Sequence, residues 1–189
     1  VQRRLQGIIN EEVPYVHCFN HQLHLVVINV LNRNDVFRRL FDIYGGLYNL
    51  TRHSLIAQHY DGEKLKRLLD QRWTGHLATV SVVRKCNHEL LDLLVVVQTY
   101  SGSSGDDVAD AIGYAKQMKS LQFISSLTIV EKILLTLNPL NSMLQSKIMD
   151  LGTALILLNE CIKRIQNMRE DCSFDLLLCE STSTLKVSA

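Results

Sequence analysis

Three histidines and a cysteine fall within eight residues, His17-Cys18-Phe19-Asn20-His21-Gln22-Leu23-His24, the densest group of reactive side chains in the chain. Cys18 and His21 form a Cys-x-x-His pair, a spacing that can place a thiolate and an imidazole on one zinc ion where a strand turns into a helix. A structural zinc needs four ligands, and no second pair at close spacing follows. Cys86 with His88, or His53 with His59, could complete the set only if the fold brought them near. The expectation is therefore no zinc, with Cys18 buried as a small hydrophobe and His21 hydrogen-bonded beside it. A neighbouring imidazole also lowers a thiol pKa, which is the start of a nucleophilic site. No orienting Asn or Asp and no oxyanion motif accompanies the pair, so an enzyme of that type is not expected.

The second notable segment is Asp70-Gln71-Arg72-Trp73-Thr74-Gly75-His76, which holds the only tryptophan. A Trp among Arg and His at a helix start can stack on a base while the cations hold phosphate. It can equally anchor two helices inside a core. The carboxylate pairs add little: Glu11-Glu12 precede a strand candidate, and Asp106-Asp107 read as helix caps. Glycine-rich phosphate loops are absent.

These side chains must be positioned by helices. The chain has 189 residues, 47% hydrophobic and 21% charged, with nine Gly and only two Pro, which favours a mainly α-helical domain with a sizeable core. Unbroken aliphatic runs such as Leu93–Val97 fall far short of the roughly 20 residues of a membrane span, so no membrane is expected. Five scattered cysteines argue against a disulfide framework and for a reducing, intracellular setting. A start at Val1 rather than Met leads us to expect a processed or truncated piece. The net charge is +1, but the ten basic residues between Arg33 and Lys85 face only five acidic ones. Such a patch can follow a phosphate backbone or simply be a solvated helix face.

Along the chain, Val13–His17 alternates like a strand, and Leu23, Val26, Val27, Val30 and Leu31 then recur at helical spacing. Leu25 and Ile28 make that helix apolar all round, as if it were buried in a larger body. Asn34 is a plausible cap for a helix carrying Phe37, Leu40, Phe41, Tyr44, Leu47 and Tyr48, with Gly45-Gly46 as a bend. A short helix with Leu65, Leu68 and Leu69 follows a turn at Asp61-Gly62. One longer helix is expected from Gly75 to Thr99. Residues 100–106 read as a flexible connector, with Asp106 or Asp107 capping the next helix. Leu127, Val130, Leu134 and Leu137 mark a further helix, kinked near Pro139. Asp150 caps a last one, with Leu151, Leu155, Leu158, Ile162 and Ile165 at near-heptad spacing. Residues 172–189 read as a frayed tail.

In this order, the two reactive segments resemble the hAT superfamily of DNA transposases and its domesticated relatives, closest to the zinc finger MYM-type and protein-kinase-inhibitor-repressor-like branch. Tyr15-Val-His-Cys18-Phe-Asn-His21-Gln-Leu23-His-Leu25-Val is similar to the family's "HCxaHxLnLv" segment, and Asp70-Gln-Arg72-Trp73-Thr resembles its "TRW" segment. Leu140-Asn-Ser-Met-Leu144-Gln145-Ser-Lys-Ile-Met-Asp150-Leu151 is similar to its "LSxxLQskdlDL" run. Gln71, His76 and His24 depart from the family pattern.

The resemblance implies a helical insertion domain, residues 32–171, attached to a truncated RNase H-like α/β core, residues 1–31. The parent family cleaves DNA with three carboxylates on divalent metal, and no acid of this chain matches them. The chain is therefore expected to be catalytically incomplete, with no cofactor of its own. His21, Arg72 and Trp73 would be nucleic-acid contacts, Cys18 and His21 would lie near the former active site, and the location would be the nucleus. The rival expectation is a helical module that binds other proteins, or a degenerate fragment without a selected function.

Overall fold

The computed structural model describes residues 18–52, 54–65, 73–146, 148 and 150–187, with backbone alone for 54–55, 73–74 and 185–187. Among the described residues there are nine helices and no strand. They are α1 (Phe19–Arg33), α2 (Asp35–Arg52), α3 (Ser54–Ala57), α4 (Trp73–Lys85), α5 (Asn87–Thr99), α6 (Gly105–Met118), α7 (Leu121–Gln145), α8 (Leu151–Asn167) and α9 (Asp171–Val187).

Four of these helices start where a short polar side chain, Asn34, Ser104, Ser120 or Asp150, satisfies free backbone N–H groups. Asn34 Oδ1 accepts from Val36 at 3.0 Å, and Asp150 accepts from Gly152 at 3.0 Å and Thr153 at 3.1 Å, as their positions before apolar stripes predict. Ahead of α6 the cap is Ser104 rather than Asp106 or Asp107: its Oγ accepts from the Asp107 N–H at 3.1 Å and donates to the Asp107 carboxylate at 2.8 Å.

Helix α7 is the axis of the fold. It packs against α1, α2, α4, α6, α8 and α9. By length and composition it could cross a bilayer, but Phe123, Ile124, Leu127, Val130, Leu134, Leu137 and Leu140 are all buried against these neighbours. Each fully buried aliphatic side chain contributes roughly 1.5–3 kcal/mol, and this helix supplies more buried aliphatic side chains than any other described helix. Pro139 lies within the helix and leaves the carbonyl of Leu135 without its helical N–H partner. One residue on, the Thr136 carbonyl accepts the Cys161 thiol of α8 at 3.1 Å. Burial pushes the Cys161 pKa up, so the proton needed for that bond is retained.

Several expectations require correction. The helix expected over Gly75–Thr99 is two helices that meet at Cys86, whose backbone (φ −102°, ψ 27°) leaves the helical range. That break lets α4 pack on α7 while α5 packs on α6. Gly45-Gly46 does not interrupt α2, which runs on to Arg52, and at Gly46 the ring of Tyr114 lies where a Cβ would be. Residues 172–187, expected as a frayed tail, lie in α9, with Leu177 and Ser181 buried.

The RNase H-like stub finds no support in the described residues. The strand expected at Val13–His17 lies outside them, and α1 is not enclosed: Val26 is 60% and Val30 59% exposed. Val27 and Leu31 of α1 join the same core as α2, α4 and α7, with Ile28 packed against it. The expected helix around Leu68 and Leu69 also lies outside the described residues.

Candidate functional site

Cys18 and His21 sit at the start of α1 and both are exposed, so the buried thiol expected there is not found. Next along the helix, His24 is buried. Cys86 is buried at the α4–α5 junction, while His88 is exposed and lies 3.0 Å from the Asp92 carboxylate one turn on. No group of three or more His, Cys, Asp or Glu side chains able to hold a metal converges among the described residues.

Of the second motif, Arg72 lies outside the described residues, as does the side chain of Trp73, the first residue of α4. His76, one turn further, is buried edge-on to Phe41, with ring centroids 4.9 Å apart. It packs α4 on α2.

Three of the basic residues between Arg33 and Lys85 are paired with carboxylates of the same chain. Arg38 pairs with Asp35 at 2.8 Å and Lys85 with Glu63 at 3.5 Å. Arg84 reaches two carboxylates, Glu131 of α7 at 2.6 Å and Glu180 of α9 at 2.9 Å. Lys132 holds the other oxygen of Glu180 at 2.7 Å, and the Ser81 hydroxyl donates to Glu131 at 2.7 Å. This clamp fastens α9 and α4 to α7. The hydrogen bond from Lys132, supported by the charges of Lys132 and Arg84, holds the Glu180 pKa below the ordinary carboxylate value against the opposing effect of burial. The clamp escaped the sequence reading, although Glu131 and Lys132 are the only charged residues in α7. A charge in so apolar a helix demands a partner. Arg33, Arg39 and Lys64 make no ion pair among the described residues. Arg39 lines an open cleft of about 300 Å³ with Asp35, Gln117, Ser120, Gln122 and Ser126. Its mixed charge and lack of a nucleophile–base pair suit no particular reaction.

The most distinctive surface belongs to α8. Ala154 and Cys161 are buried, with Leu157 and Ile165 packed against the core. Leu151, Leu155, Leu158 and Ile162 form a second apolar stripe beside that buried face, and all four are exposed, Leu155 to 60%. Their spacing of four, three and four residues keeps them on one side of the helix. One face of this helix is covered by the core, and the apolar stripe beside it is open to water.

Compared with known proteins, the chain matches no family model, no curated protein and no solved structure.

Proposed function

We propose that this chain is a helical protein–protein interaction module descended from a hAT-like transposase, with the exposed stripe of α8 as its contact surface. Descent is supported by the three ordered segments around Cys18–His21, Arg72-Trp73 and Leu140–Leu151, and by an all-helical body over most of the insertion-like region. The RNase H-like stub at residues 1–31 and a nuclear location belong to the same proposal. Catalysis is not part of it: the resemblance matches no carboxylate of this chain to the family's metal ligands.

The observation that carries the interaction reading is the exposure of Leu151, Leu155, Leu158 and Ile162 on one side of α8. Contiguous apolar surface of this kind marks interaction sites, whereas single exposed aliphatics do not. Site-directed photocrosslinking tests it. A photoreactive side chain at position 155 should give an adduct with a polypeptide, and one at exposed Lys119, at the C-terminal end of α6, should not. No polypeptide adduct at position 155 would overturn the reading.

A second reading, weak sequence-independent nucleic-acid contact, is favoured by Arg33, Arg39 and Lys64, which make no ion pair among the described residues. It predicts affinity that falls steeply with salt, because phosphate contacts release counterions. Affinity insensitive to salt would exclude it.

A further inference from the structure

We infer that α9 is a releasable strap: it opens while α1–α8 stay folded, and the ion pairs of Glu180 are its fastening. Four observations carry this.

The first is where the core ends. Helices α1 to α8 all contribute side chains to one hydrophobic core, and no described residue of α9 belongs to it. Of the described side chains of α9 only Leu177 and Ser181 are buried, while Phe174 is 44% and Leu176 70% exposed. The helix that α9 packs against extensively is α7. Lifting α9 therefore brings little apolar surface into water, and a segment with few buried apolar contacts opens more readily than the core.

The second is the fastening. Glu180 is held by Arg84 of α4 at 2.9 Å and by Lys132 of α7 at 2.7 Å. The side chains of Arg84, Glu180 and Lys132 are 35%, 37% and 38% exposed, so water is at hand to replace each contact.

The third is how the clamp divides. Glu131, its most enclosed member, has Arg84 at 2.6 Å and the Ser81 hydroxyl at 2.7 Å as partners that do not depend on α9. Release strands no buried charge, which is what makes breaking most buried ion clusters costly. Closed, the charges of Arg84, Lys132, Glu131 and Glu180 cancel. Open, the α4–α7 surface keeps two cations and one acid.

The fourth is the strap itself. Ser181, Thr182, Ser183 and Thr184 follow one another, and each hydroxyl donates to a carbonyl four residues back. Such residues are weak helix formers, so α9 away from α7 loses its helix, and opening shows as lost amide protection. Acid acts on the same fastening. The charged groups facing Glu180 are Lys132 of α7 and Arg84 of α4, which Glu131 shares. The hydrogen bond from Lys132 and the nearby cations keep the Glu180 carboxylate charged below its ordinary range. The strap is therefore closed at neutral pH and opens as the pH falls through that depressed value.

The test is hydrogen exchange of the full chain read by mass spectrometry, with protection taken relative to the intrinsic rate, for the wild type and Glu180→Gln. In the wild type the α9 amides at 175–181 should be protected, but at least about tenfold less than the α7 amides at 127–137. Glu180→Gln should lower α9 protection by about a further tenfold, the size of two half-exposed ion pairs, and leave α7 unchanged. Unchanged α7 protection also shows that the variant keeps its fold. Molar salt should lower α9 protection in the wild type and not in Glu180→Gln. Equal protection of α9 and α7 in the wild type would mean that α9 opens only with the whole fold. No protection in α9 would mean that there is no closed strap. A Glu180→Gln variant that lowers both helices alike, or neither, would deny the fastening. Each of these results overturns the inference.

Discussion

Helices α7 and α8 are both rich in leucine and isoleucine, they touch each other, and their fates differ. Six helices surround α7 and bury seven of its apolar residues, Phe123, Ile124, Leu127, Val130, Leu134, Leu137 and Leu140, while Leu121 and Leu135 stay exposed. Helix α8 lies on the outside of the bundle, where α7 covers Ala154 and Cys161 but not Leu155 or Ile162. Apolar content therefore does not decide burial; the number of neighbouring helices does. The uncovered half of α8 is surface that the fold itself does not use, which is the physical basis for assigning it to a partner.

The sharpest way to break this contrast is to truncate one leucine from each helix. Leu134→Ala on α7 should cost about 2–5 kcal/mol, because it opens a cavity in a site that cannot collapse. Leu155→Ala on α8 should stay within about 0.5 kcal/mol of wild type in dilute solution. Urea unfolding of both variants checks the pair, and equal losses would contradict the contrast.

The clamp gives the next effect. Arg84→Ala removes the shared cation from Glu131, which is 8% exposed, and should cost about 1–3 kcal/mol, discounted for the partial exposure of Arg84. Glu180 has a depressed pKa, so its contribution is present above the ordinary carboxylate value and lost as the pH falls through the depressed one. Amide protection in α9, taken relative to the intrinsic exchange rate at each pH, should fall over that acid window. In Glu180→Gln it should already be lower at neutral pH and lack that component of the acid response.

A smaller effect distinguishes adjacent glycines in α2. No atom lies within 4 Å of a Cβ at Gly45, whereas the Tyr114 ring occupies that space at Gly46. Gly45→Ala should stabilise by up to about 1 kcal/mol through helix propensity. Gly46→Ala must displace a tyrosine ring and should destabilise by about 1–3 kcal/mol. Thermal melting of the two variants should move in opposite directions.

Part of this organisation can be read from local pattern. Asn34 and Asp150 announce their helices because a cap acts within three residues, and Leu40, Tyr44, Leu47, Leu127, Val130 and Leu134 repeat at helical spacing and are buried. Long-range features could not be read that way. Helix α9 carries Ser181, Thr182 and Ser183, poor helix formers whose hydroxyls donate to carbonyls four residues back. It is fastened by a contact from Arg84 to Glu180, 96 residues apart, which no window of sequence contains. The stripe on α8 was visible as spacing, but periodicity shows which residues share a face and not whether another helix covers it. The reactive cluster at Cys18–His21 pointed to chemistry, yet the fold leaves both side chains exposed at the start of α1.

The most direct test of the interaction surface is carbene footprinting of the intact chain, first purified and dilute, then in a cell extract. Leu151, Leu155, Leu158 and Ile162 should label strongly in the dilute purified chain and become protected in the extract. Ile156, 65% exposed on another side of the same helix, should label in both. Protection of the stripe in the dilute purified chain would mean that the chain covers it itself, and equal labelling in the extract would mean that no polypeptide binds there; either result contradicts the account.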